Sequence, residues 1–525
     1  MELAHNRFQK LCSILALLGI ALQVFWSHIG VVSTDIIWAN EAARRMAEGG
    51  TYALDFFENN PPLIFYLHRL SRGIAALFAI EPVNMWYGWM MIGASCSFFY
   101  VCNQFYQITR SYPTSLINGL VMALWFGYFV VPISGFGQRE QVMMILGQPY
   151  FFSIMLRCFS QKLSELEQQR VQRPLPQLFR GFLAAVGLAL KPHFFFVPIF
   201  LELFLLKEQK TIKAWLRLDI LAMLSFFLGY AFCIYHFTPD YFSVIFSHAV
   251  LVYYNFQALP WQAILVLGPV LYVYIVLIFG FIAAARAPDY RKLIHFLLLY
   301  MVGFMLTYVV QRKGWTYHAI PMLQGSALAV IPTFIALNTV RRQNIKYSIT
   351  HGIFCFELLM AFVLLEMGQF PAVIHSRLNC VTGDYTVCYA KEIVNLVEKG
   401  ILKGSYLPLT QNMGFSMKTL YYGNLKLASR FPNYWMITAT EHQKEPAAMK
   451  WTREMMIEDF YRFKPQAILI DDCFKINAQP FYHYINFIAF LKKDPRFNSI
   501  WQQYSKVEHK DRSIAESCLQ VYVKS

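Results

Sequence analysis

Apolar runs dominate the first 371 residues and then stop. They fall near residues 11–32, 84–107, 112–133, 142–158, 179–190, 194–206, 215–237, 261–284, 293–310, 316–338 and 348–369. A helix needs roughly 17 apolar residues or more to cross the hydrocarbon of a bilayer. The pattern therefore predicts an all-α membrane unit of about eleven transmembrane helices. Two runs, 179–190 and 194–206, are too short to span, and they flank Lys191-Pro192-His193. Short helices at membrane depth are tolerated where they line a cavity. Pro61 to Ile80 is also apolar but carries His68, Arg69 and Arg72. It reads either as a span or as an amphipathic helix lying at the interface. From about residue 372 the pattern becomes that of a soluble domain. Tyr389 to Gly400 reads as a helix closed by its glycine. Ala467 to Ile470 reads as a short buried strand opening onto Asp471 and Asp472, and Leu519 to Val523 as a terminal strand. The expected organisation is a membrane unit over 1–371 and a soluble α/β domain over 372–525.

Composition supports this division. The 525 residues are 57% hydrophobic and 15% charged, against about 25% charged in a soluble domain. The net charge is +15; residues 372–525 hold 20 Lys/Arg and 14 Asp/Glu, so the tail contributes +6 and the membrane part +9. Basic residues in short loops between spans are what the positive-inside rule expects, and they need no nucleic-acid partner. The first run, Leu11 to Val32, has no small-residue cleavage site after it and reads as an uncleaved span. If Pro61 to Ile80 lies at the interface, 18 of the 26 Lys/Arg in residues 1–371 fall on the cytoplasmic side. If it spans, 16 of those 18 move outward. The first topology is preferred, with a cytoplasmic N-terminus and an external tail.

That topology gathers polar segments on the external side. They are Ser33-Thr34-Asp35, Gly49-Gly50-Thr51-Tyr52, Glu58-Asn59-Asn60-Pro61-Pro62-Leu63, Arg139-Glu140, Lys191-Pro192-His193 and Lys313-Gly314-Trp315-Thr316-Tyr317-His318. Charges near membrane depth are costly and mark function. A carboxylate among cations suits transfer from a phosphate leaving group. The carboxylate takes the acceptor's proton, and the cations hold the phosphate. Each residue also has a structural reading. Asp35 suits a helix N-cap, Pro61-Pro62 suits a helix start, and Arg139-Glu140 suits a surface ion pair. Lys191 suits a snorkelling lysine, and His318 suits a packed histidine. Among the cysteines, Cys380 and Cys388 in the external tail are spaced to close a small loop by a disulfide. No metal-ligand spacing of the Cys-x-x-Cys or His-Glu-x-x-His kind occurs.

Taken together, these motifs resemble the GT-C superfamily of integral-membrane glycosyltransferases, and within it bacterial protein O-mannosyltransferases and aminoarabinose transferases. Asp35 matches the acidic residue after the first span. Gly49, Gly50, Tyr52, Pro61, Pro62 and Leu63 match the first external loop, and Arg139 with Glu140 matches the second, where the superfamily more often has Asp. The resemblance implies juxtamembrane helices in the first external loop. It implies an inverting transfer of sugar from a polyprenyl-phosphate donor to an envelope acceptor (lipid, glycan or protein) at the periplasmic face of a bacterial inner membrane. In this reading Asp35 and Glu140 are catalytic. Arg139, Lys191, Lys313, His193 and His318 bind the donor phosphate, and Glu58, Pro61, Pro62 and Tyr317 shape the loops. Some members bind a divalent metal with the two loop carboxylates, here Asp35 and Glu140; the residues leave open whether this one does. A flippase of a lipid-linked substrate and an O-antigen ligase are the rival readings. The first lacks the pseudo-symmetric halves that transporters often show. The second lacks the Asp35 and Pro-Pro-Leu pattern.

Overall fold

The computed structural model describes residues 2–29, 32–133, 135–256, 258–341, 393–437, 446–472, 485–507 and 519–525. Helices dominate through residue 341: α1 (Glu2–Ile29), α2 (Thr34–Ala47), α3 (Leu63–Leu77), α4 (Pro82–Thr109), α5 (Thr114–Trp125), α6 (Arg139–Cys158), α7 (Glu165–Gln172), α8 (Pro174–Leu188), α9 (Phe196–Gln209), α10 (Leu218–Phe237), α11 (Leu251–Asn255), α12 (Trp261–Leu265), α13 (Gly268–Arg286), α14 (Pro288–Gln311) and α15 (Thr316–Arg341). Two compact units emerge from the packing. One comprises Met1–Val31, Ala75–Cys233 and Leu259–Gly368. The other comprises Val32–Ile74, Ile234–Ala258 and Gln369–Ser525. Residues 32–74 and 234–258 thus pack with the tail, although they interrupt the apolar runs in the sequence.

Among the described residues, α1, α10, α13, α14 and α15 contain segments long and apolar enough to cross a membrane. Counting α3 and α4 as one broken span makes six. The short runs are short helices, α8 of 15 residues and α9 of 14. The run at 348–369 lies outside the described residues. α3 holds only 15 residues and ends before Ala79, whose φ of 52° breaks the helix. At about 1.5 Å per residue it falls well short of a ~30 Å core, as the interfacial reading requires.

Close helix contacts in the first unit depend on glycine. A Cβ on Gly303 of α14 would lie 2.8 Å from the Cα of Val197 in α9. One on Gly187 of α8 would lie 3.2 Å from the Cα of Met143 in α6. Small residues let membrane helices approach this closely, and these contacts bring the ends of α6, α8, α9 and α14 together.

In the second unit the tail forms a five-stranded mixed sheet. Its elements are β1 (Ser405–Leu409), α16 (Met413–Gly423), β2 (Lys426–Leu427), α17 (Pro446–Phe463), β3 (Ala467–Asp471), α18 (Phe487–Leu491), α19 (Arg496–Trp501), β4 (Tyr504–Lys506) and β5 (Leu519–Lys524). The strand order is β2-β1-β3-β5-β4, parallel through β2, β1 and β3 and antiparallel at β5 and β4. Tyr406 pairs with Ala467, and Asp471 pairs with Leu519. The expected strands at 467–470 and 519–523 are β3 and β5. The expected helix ending at Gly400 is helical over its described part, 393–398, and Gly400 follows at φ 70°.

Candidate functional site

In the first unit the site begins at the N-terminus of α6. Gly137, at φ 83°, turns the chain into the helix. Its N–H donates to Gln141 Oε1 at 2.5 Å, and its carbonyl accepts from Trp86 Nε1 at 3.1 Å. Gln138 is the N-cap, so Arg139 and Glu140 are the first two helical residues. A carboxylate in the first turn is favoured by the helix dipole. Arg139 is half-buried and Glu140 fully buried.

Lys191 sits in extended backbone between α8 and the tight turn Pro192–Phe195. Its ammonium meets Glu140 Oε1 at 2.5 Å, Gln311 Oε1 at 3.1 Å and His318 Nε2 at 3.1 Å. An ammonium only donates. His318 Nε2 therefore accepts, which assigns the ring proton to Nδ1. All three lysine protons are thereby directed at protein acceptors. Gln311 Nε2 donates to the Thr307 carbonyl at 3.0 Å, and Thr307 Oγ1 donates to the His193 carbonyl at 2.9 Å. Three buried atoms of this cluster have no hydrogen-bond partner among the described residues: Glu140 Oε2, His193 Nε2 and His318 Nδ1.

The chain turns from α14 to α15 through Arg312 at φ 55° and Gly314 at φ 65°. Arg312 bonds the Leu259 carbonyl at 2.8 Å and lies 4.9 Å over the Trp261 ring. Lys313 in this turn is buried. Burial, then the charges of Arg312 and Lys191, lower its pKa to about 7. Trp315 and Tyr317 stack at 5.9 Å, and Tyr317 lies 4.4 Å from the His318 ring. Lys191 Nζ stands 5.7 Å from the Tyr317 ring.

The structure thus brings together Glu140, Lys191 and His318 directly. Gln311 completes the lysine's shell and was not singled out from the sequence. A glutamine ending an apolar helix beside Arg312-Lys313 was its only signal.

Asp35 belongs to the second unit. Ser33, not Asp35, is the N-cap of α2, and its carbonyl accepts from Ile36 and Ile37 at 3.1 Å each. Asp35 lies inside the first turn, so the expectation that it caps the helix does not hold. Gly49 and Gly50 close α2. Gly49 has φ 88°, and the Gly50 N–H bonds the Arg45 carbonyl at 2.8 Å. Tyr52 Oη donates to the carbonyls of Glu58 and Asn60. The Glu58 carboxylate accepts from Trp38 Nε1 at 3.0 Å and from the Asn60 N–H at 3.0 Å. The Pro62 carbonyl accepts from Phe65 at 3.0 Å, so Pro61-Pro62 starts α3. Cys380 and Cys388 lie outside the described residues.

No protein-family model matches the chain, and no curated protein matches it in sequence. Among solved structures it is similar to the crystal structure of ArnT from Cupriavidus metallidurans bound to undecaprenyl phosphate. The identity is 10% and the TM-score 0.52, with 97% of each chain covered. It is also similar to the oligosaccharyltransferase of Archaeoglobus fulgidus tethered with an acceptor peptide, at 11% identity and a TM-score of 0.48 over 99% of this chain and 74% of that one. This likeness gives the fold of the chain, which is that of the ArnT structure.

Proposed function

We propose that this protein transfers a sugar from a polyprenyl-phosphate donor to an envelope acceptor at the periplasmic face of a bacterial inner membrane. The observation that carries this reading is a buried carboxylate, Glu140, set among cations with one oxygen uncommitted among the described residues. The undecaprenyl phosphate bound to the similar ArnT structure supports a lipid phosphate as the leaving group.

In the proposed step an acceptor hydroxyl or amine attacks the anomeric carbon. The bond from that carbon to the phosphate oxygen breaks, and polyprenyl phosphate leaves with the electron pair. The acceptor's proton passes to a carboxylate, for which Glu140 Oε2 and Asp35, each in its own unit, are the candidates, and the single displacement inverts the anomeric centre. Arg139 and Lys313 hold the departing phosphate, each charge-assisted contact contributing about 1.5–3 kcal/mol. Lys191 takes a different part from the phosphate contact expected of it. Its protons are directed at Glu140, Gln311 and His318, so it fixes the carboxylate and the histidine. Among the described residues no three His, Cys, Asp or Glu side chains are placed to hold a divalent metal, and Lys191 Nζ already stands 2.5 Å from Glu140 Oε1. No step is routed through a metal.

The test is mass spectrometry of envelope lipids and glycans from a deletion strain, followed by complementation. One sugar-modified species should disappear with the gene. It should return with the wild type and stay absent with Asp35→Asn. Return of the product with Asp35→Asn would remove Asp35 from the chemistry.

A further inference from the structure

Within the second unit, two buried arginines tie α2 and the loop after it to the C-terminal domain. Arg45 is on α2, and only 6% of its side chain is exposed. Its Nε donates to Glu41 at 2.8 Å and its Nη1 to the Asp55 carbonyl at 2.5 Å. The same guanidinium donates to the carbonyls of Ser429 at 2.7 Å and Leu427 at 2.6 Å, at and just beyond the end of β2. Arg430 returns the connection. It donates to Asp459 of α17 at 2.6 Å and to the Ala53 carbonyl at 3.2 Å. Ala53 stands at φ 69°, a conformation an alanine holds only when its surroundings impose it. Between these anchors the Phe57 N–H donates to the Arg430 carbonyl at 2.8 Å. The Phe57 ring packs 4.9 Å from Phe431 and 5.6 Å from Trp451. At the rim, Arg462 of α17 pairs with Asp55 at 2.6 Å.

Burying a guanidinium is costly unless its donors are all satisfied. Here that cost is met by carbonyls from two stretches of chain nearly 400 residues apart in sequence. Asp35 precedes Arg45 by ten residues on the same helix, about 15 Å along a stiff rod. Fixing one end of the rod fixes the other. We infer that the C-terminal domain is the positioning element for the helix that carries Asp35, with Arg45 as the central positioning residue. This deepens the transferase reading and rests on it. The tail then belongs to the catalytic unit, whether or not it also meets the acceptor.

The experiment uses the full chain in lipid nanodiscs and compares wild type, Arg45→Ala, Arg45→Lys and Arg462→Ala. Hydrogen exchange over residues 34–60 should accelerate about tenfold or more in Arg45→Ala, since local opening no longer has to break the anchor. Exchange in α14 and α15 should not change. Binding of undecaprenyl phosphate should stay within about threefold of wild type. Turnover per bound lipid should fall about tenfold or more, as loss of orientation predicts. Arg45→Lys should recover part of both effects. Unchanged exchange over 34–60 overturns the proposal, and so does faster exchange with unchanged turnover. If Arg45→Ala yields no folded chain, Arg462→Ala is read in the same assays. Its pair is partly exposed, so a smaller rise in exchange is expected, and no rise overturns the proposal. A wild type that binds undecaprenyl phosphate but transfers no sugar would sink the transferase reading. The exchange result would still decide the clamp.

Discussion

At one end of α6, Glu140 is held by Lys191 and keeps an oxygen with no partner among the described residues. Toward the other end, Tyr150 and Arg157 reach a second pair of buried carboxylates, Glu202 of α9 and Asp219 of α10. Glu202 Oε1 accepts from Tyr150 Oη at 2.5 Å and from Arg217, and Oε2 accepts from Arg217 at 3.2 Å. Asp219 Oδ1 accepts from Arg217 Nε and from the Ile220 N–H, both at 3.0 Å, and Oδ2 meets Arg157 at 3.5 Å. The α8 backbone passes so close that a Cβ on Gly181 would lie 2.1 Å from the Asp219 carbonyl oxygen. Both clusters carry charge at a cost. In the second, every carboxylate oxygen is engaged and the network joins helices. In the first, one carboxylate oxygen and two imidazole nitrogens are left over. Arg157 Nε of the second cluster is also without a partner among the described residues, so the two differ in their carboxylates, and Glu140 is the one with an oxygen free for a substrate.

The comparison breaks most directly by removing one carboxylate charge from each end. Glu140→Gln should lower turnover by roughly 10²–10⁴-fold, the range for a lost acid–base or electrostatic group. Glu202→Gln should leave turnover per folded molecule near wild type and instead lower stability by up to about 3–5 kcal/mol, because Arg217 stays buried with fewer partners. Equal losses of turnover at matched folded amounts would erase the distinction.

A double variant sharpens it. Glu140→Gln alone leaves Lys191 poorly compensated and should cost about 3 kcal/mol or more. Adding Lys191→Met should return stability to within about 1 kcal/mol of wild type while turnover stays lost, since the two sites are coupled. Thermal unfolding in detergent measures the first effect, and product formation the second.

A smaller effect concerns pH. With its pKa lowered to about 7 by burial and by Arg312 and Lys191, Lys313 is charged below that pH and neutral above it. If it holds the donor phosphate, kcat/KM should decline as pH rises through 7, since that parameter reports the free enzyme. Lys313→Arg, charged throughout, should flatten the decline.

The smallest expected effect is at the rim of the clamp. Burial alone would raise the Asp55 carboxyl, but the Thr51 N–H and Arg462 outweigh it and hold its pKa below the ordinary value. Its contribution is therefore present above the usual aspartate pKa of about 3.9 and is lost as pH falls below that. A partly exposed pair contributes about 0.2–1 kcal/mol. Protection factors over residues 51–60, which correct exchange for its intrinsic pH dependence, should fall slightly from pH 5 to pH 3 in wild type and less so in Arg462→Ala.

Much of this was legible in the sequence. The short runs around Lys191-Pro192-His193 are short helices because their apolar stretches are short. Gly49 and Gly50 read as a motif and act as the stop of α2, one by its positive φ and one by its closeness to the Arg45 carbonyl. Glu140, Lys191 and His318 stand out in the chain as polar residues near membrane boundaries, and the fold brings them together. The lysine's part was not legible, because nothing in a chain shows that three acceptors from three helices converge on one ammonium. Glu202 and Asp219 were passed over as charges in or beside apolar runs. Their partners Arg157 and Arg217 fall inside the apolar runs 142–158 and 215–237, and nothing in the chain shows which carboxylates they meet. Arg45 was equally silent, since apart from Glu41 its partners are backbone carbonyls with no side-chain signature.

The central claim is that the lipid-linked sugar is cleaved from its phosphate rather than carried across the bilayer. Proteoliposomes holding wild type, Glu140→Gln or Glu202→Gln can be given a labelled polyprenyl-phosphate sugar pool and a crude envelope acceptor fraction, and the release of free polyprenyl phosphate followed. The account predicts release by wild type and by Glu202→Gln, with nearly none by Glu140→Gln. Movement of intact lipid-linked sugar between leaflets, with no polyprenyl phosphate released by wild type, would contradict it.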